Sequence, residues 1–419
     1  MSNPLLNSSA SSALISSLDS VSSTKNPFTY SYAQKGSLTS AHVPSHSRSA
    51  ITSYATSIGF NQNIDFPILK NGILENLFVK IVLTAPAGAR VNASIANLII
   101  ESMSLITSGR EICSSRPFGR AALTAHKPYS VKKNLEKMLG LQAARYAPAN
   151  NQVVAYIPAF FSCFDSPEQM YLSTFVEPLT LRLKMGSANQ YADDNAGNAV
   201  NLTLTTCELV QVFRNLSSDA EQKMIMEDYS NSESLVRIQY DLVEENTVKA
   251  GTADATDVFS HKFTSNRTCS KIFFALERVA ADITGGETIA SSADGQYGHI
   301  SRVIVKGNGQ TLFDLDSDLF RYALSQDTDS ANSMFSVGSQ WDTSFPHTHN
   351  IYKLDWGMNT DNSHLTNNIS LREINDFQLI CHATGTANNV QYRLRVCMLS
   401  PQLEAVNSAS GKISTSLSS

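Results

Sequence analysis

Along most of the chain, apolar and polar residues alternate with a period of two, which is the pattern of β-strands with one face in a core. Residues 66–84, FPILKNGILENLFVKIVLT, show it most clearly and read as two strands joined at Lys70, Asn71 and Gly72. In an extended chain Ile73, Glu75, Leu77, Val79, Ile81 and Leu83 point one way, and Leu74, Asn76, Phe78, Lys80 and Val82 the other. The first set is almost wholly apolar. One fully buried face and one partly covered face fit a sheet in a sandwich or barrel better than an amphipathic helix.

The same pattern continues in both directions. Residues 97–106 and 110–113 read as a hairpin turned at Ser108 and Gly109, where glycine supplies positive φ. Strands are expected at 153–164, 178–185 and 202–213, and then at 235–243, 258–263, 271–279, 301–306, 311–315, 351–357, 374–382 and 390–399. Polar loops separate them, at 186–199, 245–256, 282–298 and 327–348, and the first of these is expected to project into solvent. Residues 119–144 read as a loop-helix insertion against one end of the sandwich, carrying Lys127, Lys132, Lys133 and Lys137. Residues 217–229 read as a short linker helix, capped by Ser217 or Ser218 with Glu221 at the offset of a capping box.

The two halves repeat. Residues 102–112 and 302–312 lie 200 positions apart with Gly109 and Gly309 in phase. Ala155-Tyr156-Ile157 matches Ile351-Tyr352-Lys353, 179–185 matches 374–380, and a helical insertion after each hairpin (319–324 in the second half) completes the series. The fold expected is therefore all-β: two tandem eight-stranded jelly rolls with short helical insertions, the first over 61–216 and the second over 217–403. Residues 1–60 form a Ser-rich arm and 404–419 a Ser-rich tail. The arm has two readings: a disordered tail, or a segment that orders against a neighbouring subunit or a lipid surface through Leu14, Ile15, Leu18 and Val21.

Composition narrows the function. Of 419 residues 42% are hydrophobic and only 16% charged, which fits short strands and polar turns rather than charged surface helices. A net charge of -5 excludes bulk attraction to nucleic acid. Cys113, Cys163, Cys207, Cys269, Cys381 and Cys397 form no C-x-x-C pair and read as buried, reduced small hydrophobes, which implies synthesis in the cytosol. No secretory signal or membrane span is expected.

Candidate chemistry is sparse. Asp314, Asp316 and Asp318 open like a calcium loop but lack its sixth-position glycine and twelfth-position glutamate, so capping of a helix from Leu319 is the better reading. His347 and His349 would share a strand face and could ligate a metal with His364, but Pro346 and polar neighbours read as an exposed loop. No catalytic, cofactor or metal site is expected. The basic cluster at Lys127, Lys132, Lys133 and Lys137 is a solvated helix face or a contact with anionic lipid or genome.

Residues 64–82, with their basic residue, glycine turn and long apolar strand, the glycine-turned hairpin at 98–112, and the Ile157-Pro158, Phe160-Phe161 and Leu179-Thr180-Leu181-Arg182-Leu183 series resemble the double jelly-roll major capsid proteins of tailless icosahedral DNA viruses. Residues 352–358 and 371–379 extend the likeness, which covers 61–403. The resemblance implies a structural virion protein, not an enzyme, made in the host cytoplasm. It implies trimers that form pseudo-hexameric capsomers with low outer towers, alongside penton or vertex and minor capsid proteins. The arm and the four lysines would then face an internal membrane or the genome. The alternatives are a vertex or spike protein, or a two-barrel glycan-binding or glycan-cleaving protein. Few acids lie on the strands for the last, and few aromatics beyond Tyr191 and Tyr297 lie in the loops for sugar binding.

Overall fold

The computed structural model describes residues 48–417 apart from 56, 71–72, 108, 128, 143–145, 162–169, 172–176, 195, 197, 215–233, 253–255, 279–296, 317–318, 320–349, 356–368, 384–385, 387–389 and 408–412. Eight main strands make up the first half: β1 Arg48–Tyr54, β2 Asn63–Pro67, β3 Ile73–Thr84, β4 Ile100–Thr107, β5 Arg110–Ser115, β6 Gln152–Pro158, β7 Leu179–Met185 and β8 Thr203–Arg214. They form two antiparallel sheets in the orders β1-β8-β3-β6 and β2-β7-β4-β5. The second half supplies β9 Ser234–Ala250, β10 Asp257–Lys262, β11 Lys271–Arg278, β12 Ile300–Gly307, β13 Gln310–Asp316, β14 Tyr352–Asp355, β15 Gln378–Ala383 and β16 Gln391–Asn407. Their orders, β9-β16-β11-β14 and β10-β15-β12-β13, are the first pair shifted by eight labels. Each half closes its own apolar core between its two sheets.

The core follows from the alternation. Leu77, Val79, Ile81 and Leu83 of β3 are fully buried, while Phe78, Lys80 and Val82 point outward. Strict alternation would also turn Glu75 inward. A β-bulge prevents this: the β3–β8 register passes from Asn76↔Val212 to Leu74↔Phe213 and skips Glu75, so that Leu74 enters the core instead. The two strands read from 66–84 are not neighbours in one sheet. β2 pairs with β7 and β3 with β8 and β6, because Ile64 and Phe66 must meet Leu77 and Val79 from the opposite side of the same core.

The repeat holds to the level of irregularities. The β4–β5 ladder shifts between Leu105 and Ile106, and the β12–β13 ladder between Val305 and Lys306. A second shift falls between Ile100 and Ser102 against β7, and between Ile300 and Arg302 against β15. All are 200 positions apart. Two later matches differ. Tyr156 points outward at 40% exposed whereas Tyr352 is buried in the second core, so 351–353 is one residue out of phase with 155–157. Leu181 lies opposite Leu105 and Leu379 opposite Val305, so that β15 begins at Gln378 rather than at 374, and Ile374 packs in the preceding turn.

Several expectations change. The end of the Ser-rich arm is β1, paired along its whole length with β8. Its inward side needs only Ile51 and Ser53, whose hydroxyl accepts from Gln211 Nε2 at 2.7 Å, and this is too little apolar text to announce a strand. β9 runs through Ala250, where a polar loop was expected, and pairs with β16 from Ser234↔Asn407 to Ala250↔Gln391. The expected tail contributes the end of β16 and a strand, Ile413–Leu417, beside it. Pro401 lies between Leu399, the last residue paired to β11, and Gln402, the first paired to that final strand, so one side of β16 has no ladder to feed there. The hairpin strand expected from 97 is preceded by a turn of helix, α1 Ile95–Leu98. Within the loop at 186–199, Tyr191, Ala192 and Asp193 are buried, because Ala192–Asp193 pairs with Arg90–Val91 and Asp193 Oδ1 accepts from Arg90 Nε at 3.0 Å. The linker helix at 217–229, the helical segment at 320–324 and the loop at 327–348 lie outside the described residues.

Two measurements test this architecture. Gly109 and Gly309 both sit at φ +73° with open space where a Cβ would go, so Gly109→Ala and Gly309→Ala should each cost about 1–2 kcal/mol of backbone strain alone. Denaturant unfolding should show the two losses adding. On β15, burial and then Arg302 hold His382 below its ordinary 6.5. The folded state therefore binds this proton more weakly than the unfolded chain, and stability is lost as pH falls through and below 6.5. His382→Gln should flatten that part of the profile in urea titrations at about pH 7.5 and about pH 5.5.

Candidate functional site

The feature that sets this chain apart from two independent sandwiches is the joint between them. It is built on α2 Pro117–Ala125, which follows β5 directly. Pro117 occupies the first turn, where a missing N–H costs nothing, and small residues follow on two sides of the helix. Arg120 fastens α2 to the first barrel from a fully buried position. Its Nε donates to Asn97 Oδ1 at 3.0 Å, Nη1 to the Ser115 carbonyl at 2.9 Å, and Nη2 to the carbonyls of Asn97 and Ile100 at 2.7 and 2.5 Å. Asn97 Nδ2 answers by donating to the Pro117 carbonyl at 2.9 Å. Burial pulls the Arg120 guanidinium down to about 10, which leaves it charged at neutral pH.

The opposite side of α2 belongs to the second barrel. Phe118, Ala121, Ala122 and Ala125 share one buried cluster with Phe273 and Ala275 of β11 and Cys397 and Leu399 of β16. Phe118 meets Tyr297 edge-on, with ring centroids 5.7 Å apart. Gly119 allows the closest approach: its N–H, in the helix's first turn, donates to Glu244 Oε1 of β9 at 2.9 Å. The insertion expected at one end of a sandwich is thus, in its α2 part, the spacer between two. Its run of small residues was the visible signal, but a run of alanines names no partner.

Under the helix lies a charge network with two acids and two bases. Arg395 Nε donates to Glu277 Oε2 at 2.6 Å, and Arg395 Nη1 and Arg393 Nη1 stand 3.8 Å from Glu244 Oε2 and Glu277 Oε2. Burial pulls Arg395 down, but Glu277, Tyr297 and Glu244 together outweigh it and the net shift is upward. Burial raises Tyr297 well above its ordinary range. A network of this kind contributes less stability than apolar packing would; all four groups belong to the second barrel, and its hydrogen bond to the first runs from the Gly119 N–H to Glu244 Oε1.

The residues singled out from sequence are dispersed. Asp314 pairs with Arg302 through two contacts, Nε–Oδ1 at 2.6 Å and Nη2–Oδ2 at 2.7 Å, and Asp316 stands opposite Arg302 in the ladder. Asp318, His347, His349 and His364 lie outside the described residues. Lys132, Lys133 and Lys137 lie on α3 Tyr129–Met138, and Lys127 just before it. Tyr191 and Tyr297 are each only 7% exposed and offer no platform for a sugar. The five described cysteines are buried free thiols, and burial pushes Cys207 up to about 12, so it stays protonated.

No family model and no curated protein matches the chain. Solved structures do. The capsid chain of the PBCV-1 virus quasi-atomic model is 14% identical with a TM-score of 0.64, over 89% of this chain and 98% of that one. The Faustovirus major capsid protein is 8% identical with a TM-score of 0.62, over 86% and 91%. The mavirus major capsid protein is 12% identical with a TM-score of 0.51, over 90% and 93%. The chain is a double jelly roll. At such identities the likeness is one of fold, and what keeps the double jelly roll a single body is particular to the residues above.

A wedge at the joint tests that statement. A Cβ on Gly119 would stand 3.2 Å from both Glu244 Oε1 and Leu242 Cδ1, so Gly119→Val should push α2 off the second barrel. Hydrogen exchange should rise in β9 and β16 around Leu242 and Cys397 while the β3 core stays protected.

Proposed function

We propose that this protein is a structural subunit of a viral shell, a major capsid protein that assembles as homotrimers, and that these form the pseudo-hexameric capsomers of an icosahedral virion. The observation that carries the reading is a double jelly roll, shared over nearly the full length of three viral capsid chains, whose barrels are locked side by side by a buried joint. Two similar barrels at a fixed angle, repeated about a threefold axis, give a block with six near-equivalent sides, and such blocks tile a facet. The working surfaces are barrel flanks, and the role is non-enzymatic.

In this reading the 61–216 and 217–403 units gain β1 and the end of β16 from the flanking segments. Penton or vertex and minor capsid proteins complete the shell, and the chain is made in the host cytoplasm. The arm, with Lys127, Lys132, Lys133 and Lys137, is the contact with an internal membrane or the genome, through local positive charge on a chain of net -5. A vertex, spike or glycan-binding role has less support, because Tyr191 and Tyr297 are buried.

Light scattering on the purified protein should give three times the 45.6 kDa chain mass, and electron microscopy of concentrated samples should show hexagonal arrays. A monomer that binds glycans would overturn the proposal.

A further inference from the structure

At the start of β11 three reactive side chains converge in an apolar setting. Lys271 of β11 stands opposite Asp355 of β14 in the antiparallel ladder, and Lys353, two residues before Asp355, lies on the same face. Nζ of Lys271 is 3.5 Å and Nζ of Lys353 3.4 Å from Asp355 Oδ2. The side chains of Lys271, Lys353 and Asp355 are only 8%, 3% and 1% exposed. Their neighbours in the ladders are Leu399 beside Lys271 and Phe273 beside Lys353, both in the buried apolar cluster under α2.

An ordinary ion pair does not need this arrangement. A charge-assisted hydrogen bond is about 2.7–2.9 Å long, and both contacts exceed it. Two amines against one carboxylate oxygen, withdrawn from water, instead supply what amide formation needs: a nucleophile, an electrophile near the attack separation of about 3–3.5 Å, and a proton donor. An amine attacks only in its neutral form, and burial of Lys271 beside a second lysine favours that form. The first barrel has no such set. Its corresponding ladder, β3–β6, sets Phe78 against Pro158, Lys80 against Tyr156 and Val82 against Val154. That ladder is seven pairs long, whereas β11–β14 has four among the described residues.

We propose that Lys271 and Asp355 join in an intramolecular isopeptide bond, formed by the folded chain itself, that fastens the four-residue strand β14 to β11. Lys271 first gives one proton to solvent. Its Nζ then bonds to Cγ of Asp355, and the bond from Cγ to one carboxylate oxygen breaks. That oxygen leaves as water, taking one proton from the attacking amine and one from the Lys353 ammonium, which regains its proton from solvent. No oxidant, metal or second substrate enters. Burial keeps the product from the water that would reverse the step. Lys271 is the nucleophile because it faces Asp355 across the ladder, where opposite Cβ atoms are about 4.5–5.5 Å apart, whereas residues two apart on one strand are separated by about 6.6 Å.

Intact-mass spectrometry of the full chain, purified and then denatured, tests the bond. The expected mass is one water below that of the sequence. A tryptic digest should contain residues 268–278, uncut at Lys271, joined to residues 354–372 through Asp355. Asp355→Ala and Lys271→Arg should each return the chain to the full mass of its own sequence, and the parent protein decides alone if neither variant folds. A parent chain at full mass, with residues 268–271 released as a free peptide, overturns the proposal and leaves an ion-paired cluster. A water loss mapped to any other residue overturns it as well. A digest in which Lys353 is uncut and linked to Asp355, within residues 322–372, overturns the bond between strands. Each outcome is read on the single denatured chain, so the bond stands or falls apart from the trimer reading.

Discussion

The rest of this molecule depends on the burial of one sheet face by one short helix. A β-sandwich has two outer faces as well as a core, and an apolar outer face must be covered or it associates elsewhere. Here α2 meets the requirement by being double-sided: Arg120 binds it to the first barrel through main-chain carbonyls, and its small residues fit the second. Neither half alone would be satisfied. The two copies of one fold are thereby a single body, with Glu244 of the second barrel accepting from the Gly119 N–H of α2.

That arrangement explains the low charge fraction better than solubility does. Charges are retained where a second group holds them, as with Arg302 and Asp314, Arg182 and Asp65, or Lys80 and Glu208. Between them the flanks are built of small polar and aliphatic residues, which desolvate cheaply when surface meets surface.

Much of this was legible in the residues. The period-two pattern placed nearly every interior strand, and the 200-residue repeat survived down to its bulges. What escaped had physical causes. β1 was hidden because a strand at the edge of its sheet, holding its place through Ile51 and Ser53, carries little apolar signal. The polar half of β9 was read as loop because its stability comes from a continuous ladder with β16 rather than from burial. Glu75 broke the alternation and was absorbed by a bulge, which no single-strand pattern can anticipate. The joint was missed for a deeper reason: the partner of Gly119 is Glu244, and nothing local in either segment refers to the other.

The order in which the strands are used has a consequence for synthesis. β8 sits between β1 and β3, so the first barrel cannot close until residue 214 has been made, and β16 imposes the same delay on the second. Throughout the interval in which the ribosome adds the second barrel, the apolar side of α2 waits without its cover, which is completed only by Cys397 and Leu399. The nascent chain therefore passes through a long-lived stage with a finished sandwich and one adhesive patch, when premature association between neighbouring chains competes with correct closure.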